Sequence, residues 1–145
     1  MKQFKILSVL MLSLMLFSCN GNAQSKQAKS TNSKNKIEVI DFHSTHRCMT
    51  CNAIESNTKH TLDTYFADEL ADGSITFQSV NVDEKKNYEM AEKFEASGTS
   101  LFLNVIIDNK ATIINLTEFA FAKGRKKEAF SKEFKLKIEK QLKKL

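Results

Sequence analysis

The sequence predicts an α/β domain, a central mixed sheet flanked by helices with elements in the order β-α-β-α-β-β-α. Three observations carry this. Twice, a short run rich in β-branched and aromatic residues gives way to a stretch with helical period, as parallel strands joined by crossover helices require. Two further strand-like runs are then separated only by Asp108-Asn109-Lys110, a hairpin turn. A final stretch repeats apolar residues at helical spacing, as a covering helix does.

Residues 37–42 (IEVIDF) have strand composition. A loop, Ser44-Thr45-His46-Arg47, leads to Cys48. From Asn52 onward Ile54, Thr58, Leu62, Tyr65-Phe66 and Glu69-Leu70 recur at three and four, one face of a long helix, which Gly73 is suited to cap. Residues 75–82 alternate as a second strand. Residues 83–94 read as a helix burying Tyr88, Ala91 and Phe94. After the turn Ser97-Gly98-Thr99-Ser100, residues 101–107 form a nearly continuous apolar run, fit for a central strand buried on both faces. Residues 111–116 return from the hairpin. Phe119 and Phe121 are expected to pack in the core at i, i+2 on a strand end. The last helix is residues 126–144, with Phe130, Phe134, Ile138 and Leu142 on one stripe.

The 145 residues suffice for one domain, and the first of them are expected to lie outside it. Lys2 and Lys5 precede an apolar run over residues 6–17, too short to span a bilayer but fit for a secretory signal. Leu16-Phe17-Ser18-Cys19 reads as a lipobox, which makes residues 1–18 a signal peptide and Cys19 the lipid-bearing first residue of an exported lipoprotein. Ordinary cleavage after Ala23 and an uncleaved anchor are the alternatives. Residues 19–36 are polar, with almost nothing to bury, and serve as a tether to a domain over residues 37–145. This places the domain in the cell envelope, facing the periplasm and joined to the membrane by lipid.

Charge is unevenly divided. Residues 37–122 hold 6 Lys/Arg against 14 Asp/Glu, net −8, and residues 123–145 hold 10 against 3, net +7. An acidic body argues against nucleic acid as a partner.

With Cys19 assigned to lipid, Cys48 and Cys51 are the remaining cysteines of the 3. So close a pair constrains the unfolded chain little, so its use is chemical. At a helix start, unpaired N–H groups and the helix dipole favour a thiolate at Cys48, the nucleophile, and Arg47 adds positive charge. Cys51, one turn on, resolves the mixed disulfide with a protein or small-molecule substrate. An unknown redox partner is implied, and no cofactor. His43, His46, Cys48 and Cys51 are also four donors close enough in sequence to hold Zn or Cu(I) as an alternative, and the two thiols alone could bind arsenite, though zinc sites of this spacing normally need a second ligand pair. His46 and Arg47 otherwise tune the thiolate.

IEVIDFHSTHRCMTC resembles the first strand and active-site loop of thioredoxin-like proteins, and VNVDEKKNYEMAEKFEASGTS resembles their following strand, helix and turn. FHSTHRCMTCNAIE, SVNVDE, SGTSLFLNV and NLTEFAFA together resemble small exported thioredoxin-like proteins of Bacteroidetes type. Those are found with arsenical-detoxification genes, and some are described as subunits of a nitrophenyl-compound nitroreductase. The resemblance implies a thioredoxin-like fold, thiol–disulfide exchange or a role as a reductase's accessory subunit. It also implies a buried acid at Asp41 that assists proton transfer to the resolving cysteine, the alternative being an ordinary strand-end Asp paired to Arg or backbone. Three departures stand out. Arg47 replaces a tryptophan, Met49-Thr50 replaces Gly-Pro, and Ser100, preceded by Thr99, occupies the place of a cis-proline facing the cysteines. That leaves substrate recognition to Thr99 and Ser100 and opens the dithiol to metals.

Overall fold

A computed structural model describes residues 35–145. The signal peptide, Cys19 and almost all of the tether lie outside the described residues. The elements are β1 (Lys36–His43), α1 (Met49–Tyr65), α2 (Ala67–Asp72), β2 (Ile75–Asn81), a 3₁₀ turn (Lys85–Asn87), α3 (Tyr88–Lys93), β3 (Ser100–Ile107), β4 (Lys110–Asn115), α4 (Thr117–Lys123) and α5 (Lys127–Leu142). The strands form one sheet in the order β2-β1-β3-β4. β2 lies parallel to β1, whereas β3 runs antiparallel to β1 and to β4. The mixed central sheet flanked by helices is the predicted architecture.

Alternation along the inner strands builds two cores. On one face Ile37, Val39, Leu101, Leu103 and Val105 pack with Ile54 and Leu62 of α1 and Phe130, Phe134 and Ile138 of α5. On the other, Ile40, Phe42 and Phe102 meet Val80, Ala91 and Phe94. Phe42, Phe94 and Phe102 form an aromatic cluster with ring centroids 5.4–5.8 Å apart. The β3–β4 turn puts Asp108 at φ 49° and Asn109 at φ 63°, the left-handed pair a tight hairpin requires.

Several expectations are corrected. The long helix breaks at Phe66, whose φ of −136° and ψ of 31° leave the helical region. The break turns Phe66 into the core and leaves Tyr65 exposed. Gly73 does cap the end, but of α2, at φ 81°. Residues 83–94 form a 3₁₀ turn and a short helix instead of one helix. Ala91 and Phe94 are buried as expected, but Tyr88 is 52% exposed. Residues 117–123 form α4, where the sequence reading had a strand end. On a helix, positions i and i+2 diverge. Phe119 therefore packs 5.1 Å from Phe130, centroid to centroid, and Phe121 faces solvent.

Close packing fixes α1. The Asn57 side-chain amide donates to the Gly124 carbonyl at 2.8 Å. A Cβ at Gly124 would lie 2.7 Å from the Ala120 carbonyl oxygen, 2.8 Å from Ile54 Cγ1 and 3.4 Å from Thr50 Cγ2. Gly124 has helical φ and ψ, so space and not backbone freedom demands glycine there. Gly124→Ala is therefore expected to lower stability by roughly 1–3 kcal/mol through overpacking, read from the urea midpoint. An unchanged midpoint would show that α1 and the α4–α5 turn are not held together this way.

Candidate functional site

Cys48 precedes α1 as its N-cap, in extended conformation, and its Sγ accepts the Cys51 backbone N–H at 3.1 Å. Sulfur thus sits where unpaired helix N–H groups and the positive end of the dipole converge. The first turn of α1 holds no acidic residue to oppose this. Cys48 is exposed and Cys51 is 8% exposed, the division expected of an attacking and a resolving sulfur. The two form a disulfide with Cα atoms 5.0 Å apart.

The loop before Cys48 is tied to the end of β2 and the residues just after it. The Val82 N–H donates to the His43 carbonyl at 2.8 Å, and the Thr45 N–H donates to Asp83 Oδ2 at 2.7 Å. The Asn81 amide reaches Thr45 Oγ1 at 3.1 Å. The hydrogen bond from Thr45, with help from His46 and His43 charge, holds Asp83 below the usual carboxylate range. Nothing in the sequence singles out Asn81 or Asp83, since polar residues after a strand are ordinary.

Asp41 is fully buried within β1, opposite Leu101 of β3 and Ser79 of β2, not at a strand end. Arg47 turns back over it. The guanidinium donates Nη2 to Asp41 Oδ2 at 3.3 Å and to the Cys51 carbonyl at 3.4 Å, and Nη1 to Glu55 Oε2. Arg47 thus spends its charge on the carboxylates below the dithiol. Asp41 Oδ1 has no hydrogen-bond partner among the described residues. Burial, opposed by the Arg47 charge, pushes Asp41 up to about 7. Burial acts the same way on Glu55, but hydrogen bonds from Lys59 and Arg47 outweigh it and hold Glu55 below its ordinary value. Glu55 was legible only as the i+4 neighbour of Cys51 and Lys59.

The remaining predicted residues are placed as follows. Ser100 opens β3 opposite Phe42, is buried, and donates its hydroxyl to the Gly98 carbonyl at 3.1 Å. Thr99 is half-buried beside it. No peptide bond among the described residues is cis. The 97–100 turn meets the cysteine loop, since a Cβ on Gly98 would lie 3.7 Å from Ser44 Oγ. The four metal-ligand candidates are not brought together: no group of three His, Cys, Asp or Glu among the described residues could hold an ion. His43 closes β1 with its Nδ1–H donating to the Ser44 carbonyl at 3.0 Å, and His46 is exposed. In this disulfide form both sulfurs are bonded to each other and the ring of His43 is engaged locally.

No family model matches the chain, and no curated protein does. Solved structures to which it is similar include thioredoxin from Fasciola hepatica, at 22% identity over 62% of this chain and 78% of that one, with TM-score 0.40. Mitochondrial thioredoxin 3 from Saccharomyces cerevisiae in its oxidized form is similar at 23% identity over 63% and 77%, with TM-score 0.40. A structure described as a malarial protein is similar at 18% over 61% and 96%, with TM-score 0.39. The CxxC pair opens the helix after β1, as expected from the sequence. The domain is α/β in fold, a mixed four-stranded sheet flanked by helices.

A carboxyl raised by burial destabilises the folded state as it ionises. Between about pH 4 and 7 the folded protein keeps the Asp41 proton that the unfolded chain has lost. Stability from this group is full below pH 4 and lost as pH rises through 7. Asp41→Asn, neutral throughout, is expected to gain on the wild type as pH rises, by at most roughly 4 kcal/mol at pH 8 relative to pH 4. Urea unfolding of the oxidised protein at both pH values checks this. A difference independent of pH would show that Asp41 ionises normally.

Proposed function

We propose that the protein is a thiol–disulfide oxidoreductase of the cell envelope, with Cys48 as nucleophile and Cys51 as resolving thiol. The observation that carries this is the exposed Cys48 Sγ at the N-terminus of α1, disulfide-bonded to a buried Cys51. In the reducing direction the Cys48 thiolate attacks one sulfur of a substrate disulfide, the S–S bond breaks, and one substrate thiolate leaves. Cys51 then loses its proton and attacks Cys48 Sγ. The Cys48–Cys51 disulfide forms, the second substrate thiolate leaves, and two electrons have passed to the substrate. The oxidising direction is the reverse.

Asp41 is the group suited to take the Cys51 proton. A base works best with a pKa near the working pH, and Asp41 stands near 7 with Oδ1 uncommitted. One guanidinium nitrogen of Arg47 bridges its carboxylate and the Cys51 carbonyl. His46 lies exposed on the approach to Cys48, and Thr99 and Ser100 lie in the turn that meets the cysteine loop, where a substrate backbone would pass. The narrower kinship with exported proteins found beside arsenical-detoxification genes, and an accessory role to a reductase, rest on the sequence stretches alone.

Envelope attachment through lipid on Cys19 is part of the same proposal and is supported by the lipobox reading. No helix among the described residues is long and apolar enough to cross a membrane.

Cys48→Ser is expected to abolish reduction of a model disulfide, while Cys51→Ser accumulates a mixed disulfide visible by mass spectrometry. Full activity in Cys48→Ser would sink the assignment. Cys19→Ser is expected to move the protein from the membrane fraction to the soluble envelope fraction of the source cell. Unchanged membrane association would remove the lipid anchor from the reading.

A further inference from the structure

The three cations Arg125, Lys126 and Lys127 sit where helix physics disfavours them. They occupy the start of α5, the positive end of its dipole, where acidic residues are preferred. Lys126 is the N-cap and makes no side-chain capping bond. All three are exposed, and none has an ion-pair partner among the described residues, whereas neighbouring Lys123 pairs with Glu133 at 2.8 Å. Glu128 is the one carboxylate in that first turn. The stability of α5 does not explain this cluster.

Its position does suggest a use. Gly124 packs against Ile54 and against Thr50, which lies between the two cysteines, and Asn57 pins its carbonyl. Successive Cα atoms are about 3.8 Å apart, so Arg125, Lys126 and Lys127 follow directly on a residue packed against the first turns of α1. Their field reaches across a Debye length of about 8–10 Å. Met49, the residue after Cys48, is 72% exposed and adds an apolar contact next to the sulfur. The body of the domain is net negative, and this rim is the part of the basic stretch 123–145 that adjoins Gly124.

We propose that residues 125–127 form a docking rim for an acidic protein segment that carries the substrate disulfide. Three consecutive cations span more than one carboxylate, which fits a peptide with several acidic side chains. The inference rests on the dithiol reading above and names the substrate class for that site. Electrostatic complementarity of this kind raises the encounter rate and is screened by salt.

The test uses the reduced full chain and three peptides, each bearing one cysteine joined to a neutral thiopyridyl group and flanked by two Glu, two Gln or two Lys. Release of thiopyridone reports attack by Cys48. At low salt the Glu peptide is expected to react about tenfold faster than the Lys peptide, with the ratio shrinking in 0.5 M salt. In R125Q/K126Q/K127Q the ratio is expected to fall below about twofold. K143Q/K144Q removes equal-sign charge at the C-terminal end of α5, beyond its last turn, and is expected to keep the wild-type ratio. Equal rates for all peptides in the wild type, or the same ratio in the triple variant, would overturn the rim while leaving the dithiol reading intact. No reaction with any peptide would remove the dithiol reading and the rim with it. Equal peptide rates, together with sedimentation of the wild type but not the triple variant on phosphatidylserine vesicles, would assign the cations to a membrane surface and overturn the proposal.

Discussion

One guanidinium shared between two carboxylates holds this site together. Arg47 joins Asp41 in β1 to Glu55 in α1 and touches the Cys51 carbonyl on the way. Sheet, loop and dithiol helix are thereby joined through a single side chain. Such a partly buried cluster is weak as a source of net stability, since desolvation offsets the attraction. Its value is positional. The charge count supports this reading: with Asp41 protonated, Arg47 and Glu55 balance, and Lys59, also on Glu55, is more exposed. Ionising Asp41 adds a second negative charge to a site that offers it one donor.

The sulfur above this cluster is governed by a different source of charge. Arg47 is committed to the carboxylates, so the stabilisation of an anion at Cys48 falls to the backbone. The Cys51 N–H reaches the sulfur directly, and the dipole of a helix 17 residues long adds to it. Packing holds that helix in register. Gly124 allows close approach, Asn57 bonds its carbonyl, and the Thr61 and Ser131 hydroxyls meet at 3.0 Å across α1 and α5. The dithiol geometry therefore depends on contacts made well along α1 as well as at its first turn.

What the sequence made legible follows the strength of local signals. The continuous apolar run of β3, the Asp-Asn turn and the Cys48–Cys51 spacing each carry a local physical requirement, and each stands in the structure. The resemblance singles out Asp41 as a buried acid, and the residue is fully buried within β1. Failures came where tertiary packing overrode periodicity. Phe66 leaves the helix to fill the core, although its spacing fits a continuous stripe. Phe119 and Phe121 alternate like strand residues but lie on a helix anchored by Thr117 Oγ1, which accepts the Leu101 N–H at 3.2 Å. In the sequence Arg47 stands as a cation beside sulfur, since adjacency says nothing of the direction in which a long side chain folds back. Glu55, eight residues away, decides that direction.

The burial of Cys51 and the state of Asp41 are linked by proton accounting. As a disulfide, Cys51 holds no proton. On reduction it must hold one or leave a thiolate in a site where burial penalises charge. Asp41 faces the same penalty at the same end of β1, separated from the Cys51 backbone by a single guanidinium nitrogen. On the proposed reading, a proton leaving Cys51 during attack is received by Asp41, the neighbouring buried acid. Substituting Arg47 would change this balance in both directions at once. Its charge favours the Asp41 carboxylate, and its hydrogen bonds join that carboxylate to the Cys51 carbonyl.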